Sequence, residues 1–96
     1  INFDEWPGVE GLKPLGQGHI VPETYDPDVV DRMIDVSTDE GFVMSRRLAS
    51  HGYFAGQSTG AYMHGAWVVA QEERRGRIVT VFNDIGERYF STGMWD

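Results

Sequence analysis

The sequence predicts an α/β fold, a mostly parallel sheet flanked by helices and preceded by an irregular lead. Three observations carry that expectation. Beyond residue 28, strand-like and helix-like stretches alternate, the order expected when helices cross over between parallel strands. The run Arg77-Ile78-Val79-Thr80-Val81-Phe82 is β-branched and nearly continuously apolar, as a strand covered on both faces must be. All four prolines (Pro7, Pro14, Pro22, Pro27) fall within residues 1–27, where no apolar periodicity is sustained.

The elements follow in order. Residues 1–27 read as an extended lead, and a structureless stretch of that length is easiest to explain if it lies across something outside this chain. In Asp26-Pro27-Asp28 the first Asp can cap a helical turn, the proline suits the first helical position, and the second Asp favours the positive helix end. A short turn through Met33 and a brief strand, Ile34-Asp35-Val36, are expected next. Ser37 then stands three residues before Glu40, the spacing of a capping box, and opens a helix whose apolar face would run through Phe42, Val43 and Leu48 or Ala49. His51-Gly52 is a helix ending. Tyr53-Phe54-Ala55 reads as a short buried strand. Residues 61–73 form a helix rich in small and apolar side chains, apolar over most of its circumference and therefore expected to be covered on more than one side. After the polar connection 72–77 comes the central strand 77–82, a turn over 83–86, and a last short helix or tail over 87–94. Residues 28–96 thus form the α/β segment.

Composition narrows the function. The chain has 96 residues, no cysteine and a formal net charge of −7. The charge disfavours nucleic acid or an anionic membrane as partner, since both require a basic face. Without cysteine there is no disulfide, thiolate metal site or thiol nucleophile. No apolar run is long enough to span a bilayer, and no basic-then-apolar signal opens the sequence, so a cytoplasmic location is expected. Seven of the eight basic residues are Arg; Lys13 is the one lysine.

The stretch that speaks to chemistry is Ala55-Gly56-Gln57-Ser58-Thr59-Gly60-Ala61. A strand ends, a glycine-flanked turn follows and a helix begins, which is where α/β folds place ligands. The helix start offers free N–H groups, and Ser58 and Thr59 add two hydroxyls. The plainer reading is that one of these hydroxyls simply caps the helix while the glycines permit close packing.

Together with its flanks, this stretch resembles the C-terminal portion of the cysteine synthases, the O-acetylserine or O-phosphoserine sulfhydrylases, which are pyridoxal-phosphate enzymes of fold type II. The family pattern reads G-I-S-S/T-G-A, then V-x-x-P-D-S-G-E-R-Y-L-S-T. This chain has Gly56-Gln57-Ser58-Thr59-Gly60-Ala61, then Val79 through Asn83-Asp84-Ile85-Gly86-Glu87-Arg88-Tyr89-Phe90-Ser91-Thr92. Gly18, Pro22 and Tyr25-Asp26-Pro27 resemble the family's glycine-rich approach, and Val36 to Leu48 its V-x-x-x-E-A-x-x-x-x-R-x-L helix. The likeness covers nearly all of this chain but only about the last third of a whole member.

The resemblance implies a β-replacement enzyme that makes L-cysteine from O-acetylserine or O-phosphoserine and a sulfur nucleophile, with pyridoxal 5'-phosphate as cofactor. Ser58 takes the position that hydrogen-bonds the cofactor's ring nitrogen, with Gly56, Thr59 and Gly60 shaping the site around it and Gly16 and Gly18 letting the lead pass close by. A neutral hydroxyl there leaves the ring nitrogen unprotonated and favours β-elimination and replacement. Thr59 resembles the branch that takes sulfur from a carrier protein. Three departures bear on the pocket: Gln57 for the family Ile, Asn83 for its Pro, and Ile85 for its Ser; His19 interrupts the glycine-rich approach. The family's Schiff-base lysine and phosphate-cradling loop match nothing here, Lys13 included. The expectation is therefore a piece of a larger enzyme, with no catalytic residue of its own and inactive alone, whose partners are the remaining N-terminal portion, a second copy in a homodimer and a small amino-acid substrate. Cystathionine β-synthase shares the fold and the ring-nitrogen serine but lacks the E-R-Y-L-S-T ending. A rival from another class is a non-catalytic α/β module that binds a partner.

Other candidates are weaker. His19, His51 and His64 fit no metal-ligand spacing, so no metal is expected. Gly56-x-Ser58-x-Gly60 matches a nucleophile elbow literally, but His64 and Asp84 come in the reverse of the Ser–acid–His order. Glu87-Arg88-Tyr89 reads as an ion-paired anchor for the tail, Trp6 and Trp67 as packing, Trp95 as packing or interface, and Glu72 to Arg75 as a solvated helix end.

Overall fold

A computed structural model of the chain describes residues 2–3 and 23–87. Within them, strand β1 (Asn2–Phe3) pairs in parallel with strand β2 (Asp35–Val36), Asn2 opposite Asp35 and Phe3 opposite Val36. Helix α1 (Thr38–Ser50) follows β2 directly, and helix α2 (Gln57–Glu72) packs across it.

The local signals at the chain's entry act as the sequence implies. Asp26 accepts the Asp28 N–H at 3.0 Å, with Pro27 opening a single 3-10 turn over Pro27–Val29. Shorter than the turn to Met33 that the sequence suggests, it stops at Val30, which is extended. Helix α1 begins with the reciprocal capping box: Ser37 Oγ accepts from Glu40 N–H, and Glu40 Oε2 accepts from Ser37 N–H, each at 3.1 Å. It ends with two backbone bonds, Tyr53 N–H to Leu48 C=O and Gly52 N–H to Ala49 C=O, made possible by Gly52 at φ +92°. This double closure needs a left-handed residue, a conformation that costs glycine little.

The core face of α1 differs from expectation. Gly41, Met44 and Ser45 are buried, whereas Val43 is 63% exposed. The cause is close approach of the two helices. A Cβ built on Gly60 would lie 2.0 Å from Ser45 Oγ and 2.3 Å from Gly41 C=O, so α1 and α2 touch backbone to backbone. Small residues, not large apolar ones, form this contact. Ser45 Oγ donates to Gly56 C=O at 3.0 Å across it, with both partners buried.

Helix α2 starts four residues earlier than the sequence reading, at Gln57, and buries residues 57 to 61 together with Gly65. Its second half is more open, with Trp67 exposed, so cover on several sides is not complete among the described residues. The expected strands at 53–55 and 77–82 do not form ladders. Tyr53 and Phe54 are exposed and only Ala55 is buried; Ile78, Val79, Val81 and Phe82 are all exposed. The wider parallel sheet is therefore not formed among the described residues: a strand exists only where a neighbour accepts and donates its backbone hydrogen bonds, and here only β1 and β2 meet that condition. Tyr53 and Phe82 instead pack edge to face, ring centroids 6.0 Å apart. Most of the lead (1 and 4–22) and the tail from Arg88, including Lys13, Gly16, Gly18, His19, Trp6 and Trp95, lie outside the described residues.

Candidate functional site

The first turn of α2 and the bend at Asn83-Asp84 come together in one hydrogen-bonded cluster. Gly56 is the N-cap of the helix, with extended backbone and no side chain to cap the first turn. Its own N–H donates to Asp84 Oδ1 at 2.9 Å. Thr59 Oγ1 reaches the same Oδ1 at 2.9 Å and Asn83 Oδ1 at 3.1 Å. Ser58 Oγ lies 3.1 Å from both Asp84 Oδ2 and Asn83 Oδ1. Ser58 and Thr59 are almost completely buried. From the other side of the bend, Gly86 N–H donates to Phe54 C=O at 3.1 Å, fastening the 83–86 turn beside the entry to α2.

Chemically this is a pair of neutral hydroxyls at the positive end of a helix, held against one carboxylate and one amide. A carboxylate placed at a helix N-terminus is favoured by the unpaired N–H groups and the helix dipole. A hydroxyl has one proton and two lone pairs, so either can turn to donate to a ligand acceptor.

The structure brings Gly56, Ser58 and Thr59 together in the cluster and assigns Gly60 to helix packing against Gly41 and Ser45. Gln57 is buried at the first helical position, and Ile85 points outward, exposed. In the sequence Asn83 stands out as a departure from the family pattern and Asp84 as a motif position and an out-of-order triad acid; in the structure both are direct partners of the two hydroxyls. The Asn-Asp pair directly after a β-branched run was the available signal, since acceptors there face the start of a neighbouring helix. Ser45 was missed entirely.

Two of the histidines, His51 and His64, make other contacts. His51 Nδ1 donates to Arg47 C=O at 2.8 Å, closing α1. His64 Nε2 lies 3.2 Å from Glu40 Oε2 and stacks at a tilt on Trp67, centroids 5.7 Å apart. Among the described residues no three His, Cys, Asp or Glu side chains gather as a metal site. No helix among them is long and apolar enough to cross a membrane. A groove of about 570 Å³ runs between α2 and the extended segment, lined by Ile34, Tyr62, Val69, Ile78, Val81 and Asn83, and one end reaches the cluster through Asn83.

No family model matches the chain. It is 38% identical over 93 residues to a cysteine synthase of Aquifex aeolicus, covering 92% of this chain and 28% of that protein. A Staphylococcus aureus cysteine synthase is 41% identical over 91 residues (93% and 29%), and cysteine synthase B of Pseudomonas aeruginosa 32% over 93 residues (96% and 31%). A crystal structure of an O-ureido-L-serine synthase mutant with O-ureido-L-serine bound superposes with a TM-score of 0.79 at 34% identity, over 91% of this chain and 26% of that one. The chain thus spans under a third of the length of the relatives it matches. Similar in sequence along nearly its whole length, and in backbone, it corresponds to a C-terminal portion of a cysteine synthase, within the pyridoxal-phosphate enzymes of fold type II.

Proposed function

We propose that the protein to which these residues belong is a pyridoxal-phosphate-dependent cysteine synthase, and that this chain supplies the ring-nitrogen end of its cofactor site. The observation that carries the reading is the buried Ser58 hydroxyl at the start of α2, neutral and fixed from two sides. It sits at the position where the resemblance puts the residue that donates to an unprotonated ring nitrogen.

The residues fit one end of the cofactor and not the other. Ser58 is a neutral hydroxyl whose one proton faces Asp84 and Asn83 here and can turn towards a ring nitrogen kept as an acceptor, with no cation beside it among the described residues. The described residues include no lysine to hold the cofactor covalently, so that group and the phosphate cradle are assigned to the remaining N-terminal portion. When bound, pyridoxal phosphate supplies the electron sink that lets an amino acid lose its β-substituent and accept a nucleophile. Overall, the β C–O bond of O-acetylserine or O-phosphoserine breaks, releasing acetate or phosphate, and a C–S bond forms to give L-cysteine. The elimination half is lyase-like and the net reaction a transfer. Here Ser58 orients the ring, Thr59 and Gly56 hold the turn that presents it, and burial keeps water from the hydroxyl.

The same reading places residues 1–27 as a lead along the enzyme and 28–96 as part of its larger domain. Residues 77–82 would then be a strand of a parallel sheet completed by the absent portion, which accounts for the exposure of Ile78, Val79, Val81 and Phe82. A cytoplasmic homodimer, with sulfide or a carrier-protein thiocarboxylate as sulfur donor, completes it.

Replacing Ser58 by Ala in the complete protein tests the reading. The expected result is an altered cofactor absorption spectrum and a turnover lower by roughly ten- to a hundredfold, as for loss of one charge-tuning hydrogen bond. An unchanged spectrum and rate would reduce Ser58 to a helix cap. This chain alone, mixed with pyridoxal phosphate, should develop no covalent-cofactor absorbance band; its appearance would mean that Lys13 serves after all.

A further inference from the structure

The Gly56 N–H and the Ser58 and Thr59 hydroxyls meet the oxygens of Asn83 and Asp84 at the start of α2, and their contacts are unequal. Asp84 Oδ1 takes two short contacts, from the Gly56 N–H and from Thr59 Oγ1, both 2.9 Å. Asp84 Oδ2 faces Ser58 Oγ at 3.1 Å. Asn83 Oδ1 is a second acceptor, 3.1 Å from each hydroxyl. Each hydroxyl has one proton, so it serves Asp84 or Asn83 at any moment but not both. A carboxylate accepts more strongly than an amide. If the Asn83 amide is turned over, its two N–H groups face the hydroxyl oxygens and both hydroxyl protons pass to Asp84. In either orientation Asp84 is the preferred acceptor of the Ser58 proton.

From this, and resting on the reading of Ser58 as the partner of the cofactor's ring nitrogen, we infer that Asp84 is a positioning residue for Ser58. Pinned through Oδ1 by Gly56 and Thr59, it sets the direction of the Ser58 hydroxyl through Oδ2, and so governs how strongly Ser58 donates to the ring. The backbone N–H of Gly56 and the shorter of the two Thr59 contacts hold Oδ1 in place, while Ser58 lies at equal distance from Asp84 Oδ2 and Asn83 Oδ1 and can turn between them. Thr59 acts one step further away: its proton satisfies part of the Asp84 charge and weakens the pull of Asp84 on Ser58.

The test uses the complete protein loaded with pyridoxal phosphate labelled at the ring nitrogen, and reads the chemical shift of that nitrogen by NMR. Ser58→Ala should move the signal towards that of a ring nitrogen without a hydrogen bond. Asp84→Asn, which keeps the shape and removes the charge, should move it the opposite way, since Ser58 is released to the ring. Thr59→Val should move it in the Ser58→Ala direction, because Asp84 then draws harder on Ser58. In a Ser58→Ala background neither second substitution should move it. If Asp84→Asn fails to fold, the Thr59→Val arm carries the test by itself. A signal shifted by Ser58→Ala but unmoved by the other variants that fold overturns the inference and leaves the role of Ser58 intact. Equal shifts with and without Ser58 also overturn it, since Asp84 would then act on the ring through its own charge. A signal unmoved by Ser58→Ala overturns both readings.

Discussion

At the scale of single residues, two glycines at one helix crossing have opposite tolerances. A methyl group on Gly60 would sit 2.3 Å from the Gly41 carbonyl and 2.0 Å from Ser45 Oγ; the first of these is backbone and cannot step aside. Gly60→Ala is expected to destabilise the protein by about 1–3 kcal/mol or more and to disturb the Ser45 bond to Gly56 behind the Ser58 turn. A methyl on Gly41 would meet Ala61 at 3.6–3.7 Å, ordinary contact distance. Gly41→Ala is therefore neutral or stabilising by up to about 1 kcal/mol, since alanine favours a helix interior. Denaturant midpoints of both variants check the pair, and equal losses would mean the helices do not cross this closely. This scale also marks what the sequence shows and what it hides. Ser58 and Thr59 stand in a local pattern of strand, glycine and helix, readable by eye. Their partners lie 24 to 26 residues away at Asn83 and Asp84, and no local rule joins positions that far apart.

At the scale of elements, the ends of α1 were legible and its buried face was not. A cap is decided by residues within four positions of each other, so Ser37, Glu40 and Gly52 announce themselves. A face is decided by what packs on it, and here the Gly60-Ala61 edge of α2 calls for Gly41 and Ser45 rather than for Phe42 and Val43. The far end of α2 is tied differently. The two terminal guanidinium nitrogens of Arg32, Nη1 and Nη2, donate to the two carboxylate oxygens of Glu72. That hydrogen-bonded pairing raises the Arg32 pKa and lowers that of Glu72. Glu72 carries the lowered value, so the pair stabilises the fold above the ordinary carboxylate range and loses its effect as pH falls through the Glu72 value. Both side chains are about half exposed, which keeps the effect small and open to salt. Arg32→Gln should lower the melting temperature slightly at neutral pH and low salt. The deficit should vanish in concentrated salt and again in acid; one that persists in acid would trace to packing of the arginine stem instead.

At the scale of the whole molecule, the apolar surface is distributed for a larger body. Val36, Met44, Ala55 and Ala61 are the buried apolar side chains among the described residues, a small set for two helices, while Ile78, Val79, Val81 and Phe82 are exposed. A β-branched run of this kind reads as a central strand because continuously apolar, β-branched stretches suit a strand covered on both faces. The structure shows the same run without ladder partners, since hydrogen bonds need a neighbour that the described residues do not provide. The relatives, more than three times as long, leave ample chain to supply one. Val79, 83% exposed here, decides the matter. In the complete protein Val79→Asp would bury an unpaired carboxylate and is expected to cost roughly 2 kcal/mol or more. In this 96-residue chain by itself the same substitution faces water, so it should leave stability nearly unchanged while reducing the binding of an apolar dye to the exposed run. Chemical denaturation of the complete protein and dye titration of the chain measure the two halves. A complete protein indifferent to Val79→Asp would mean that residues 77–82 remain a surface in it, and a parallel sheet would have to be built without them.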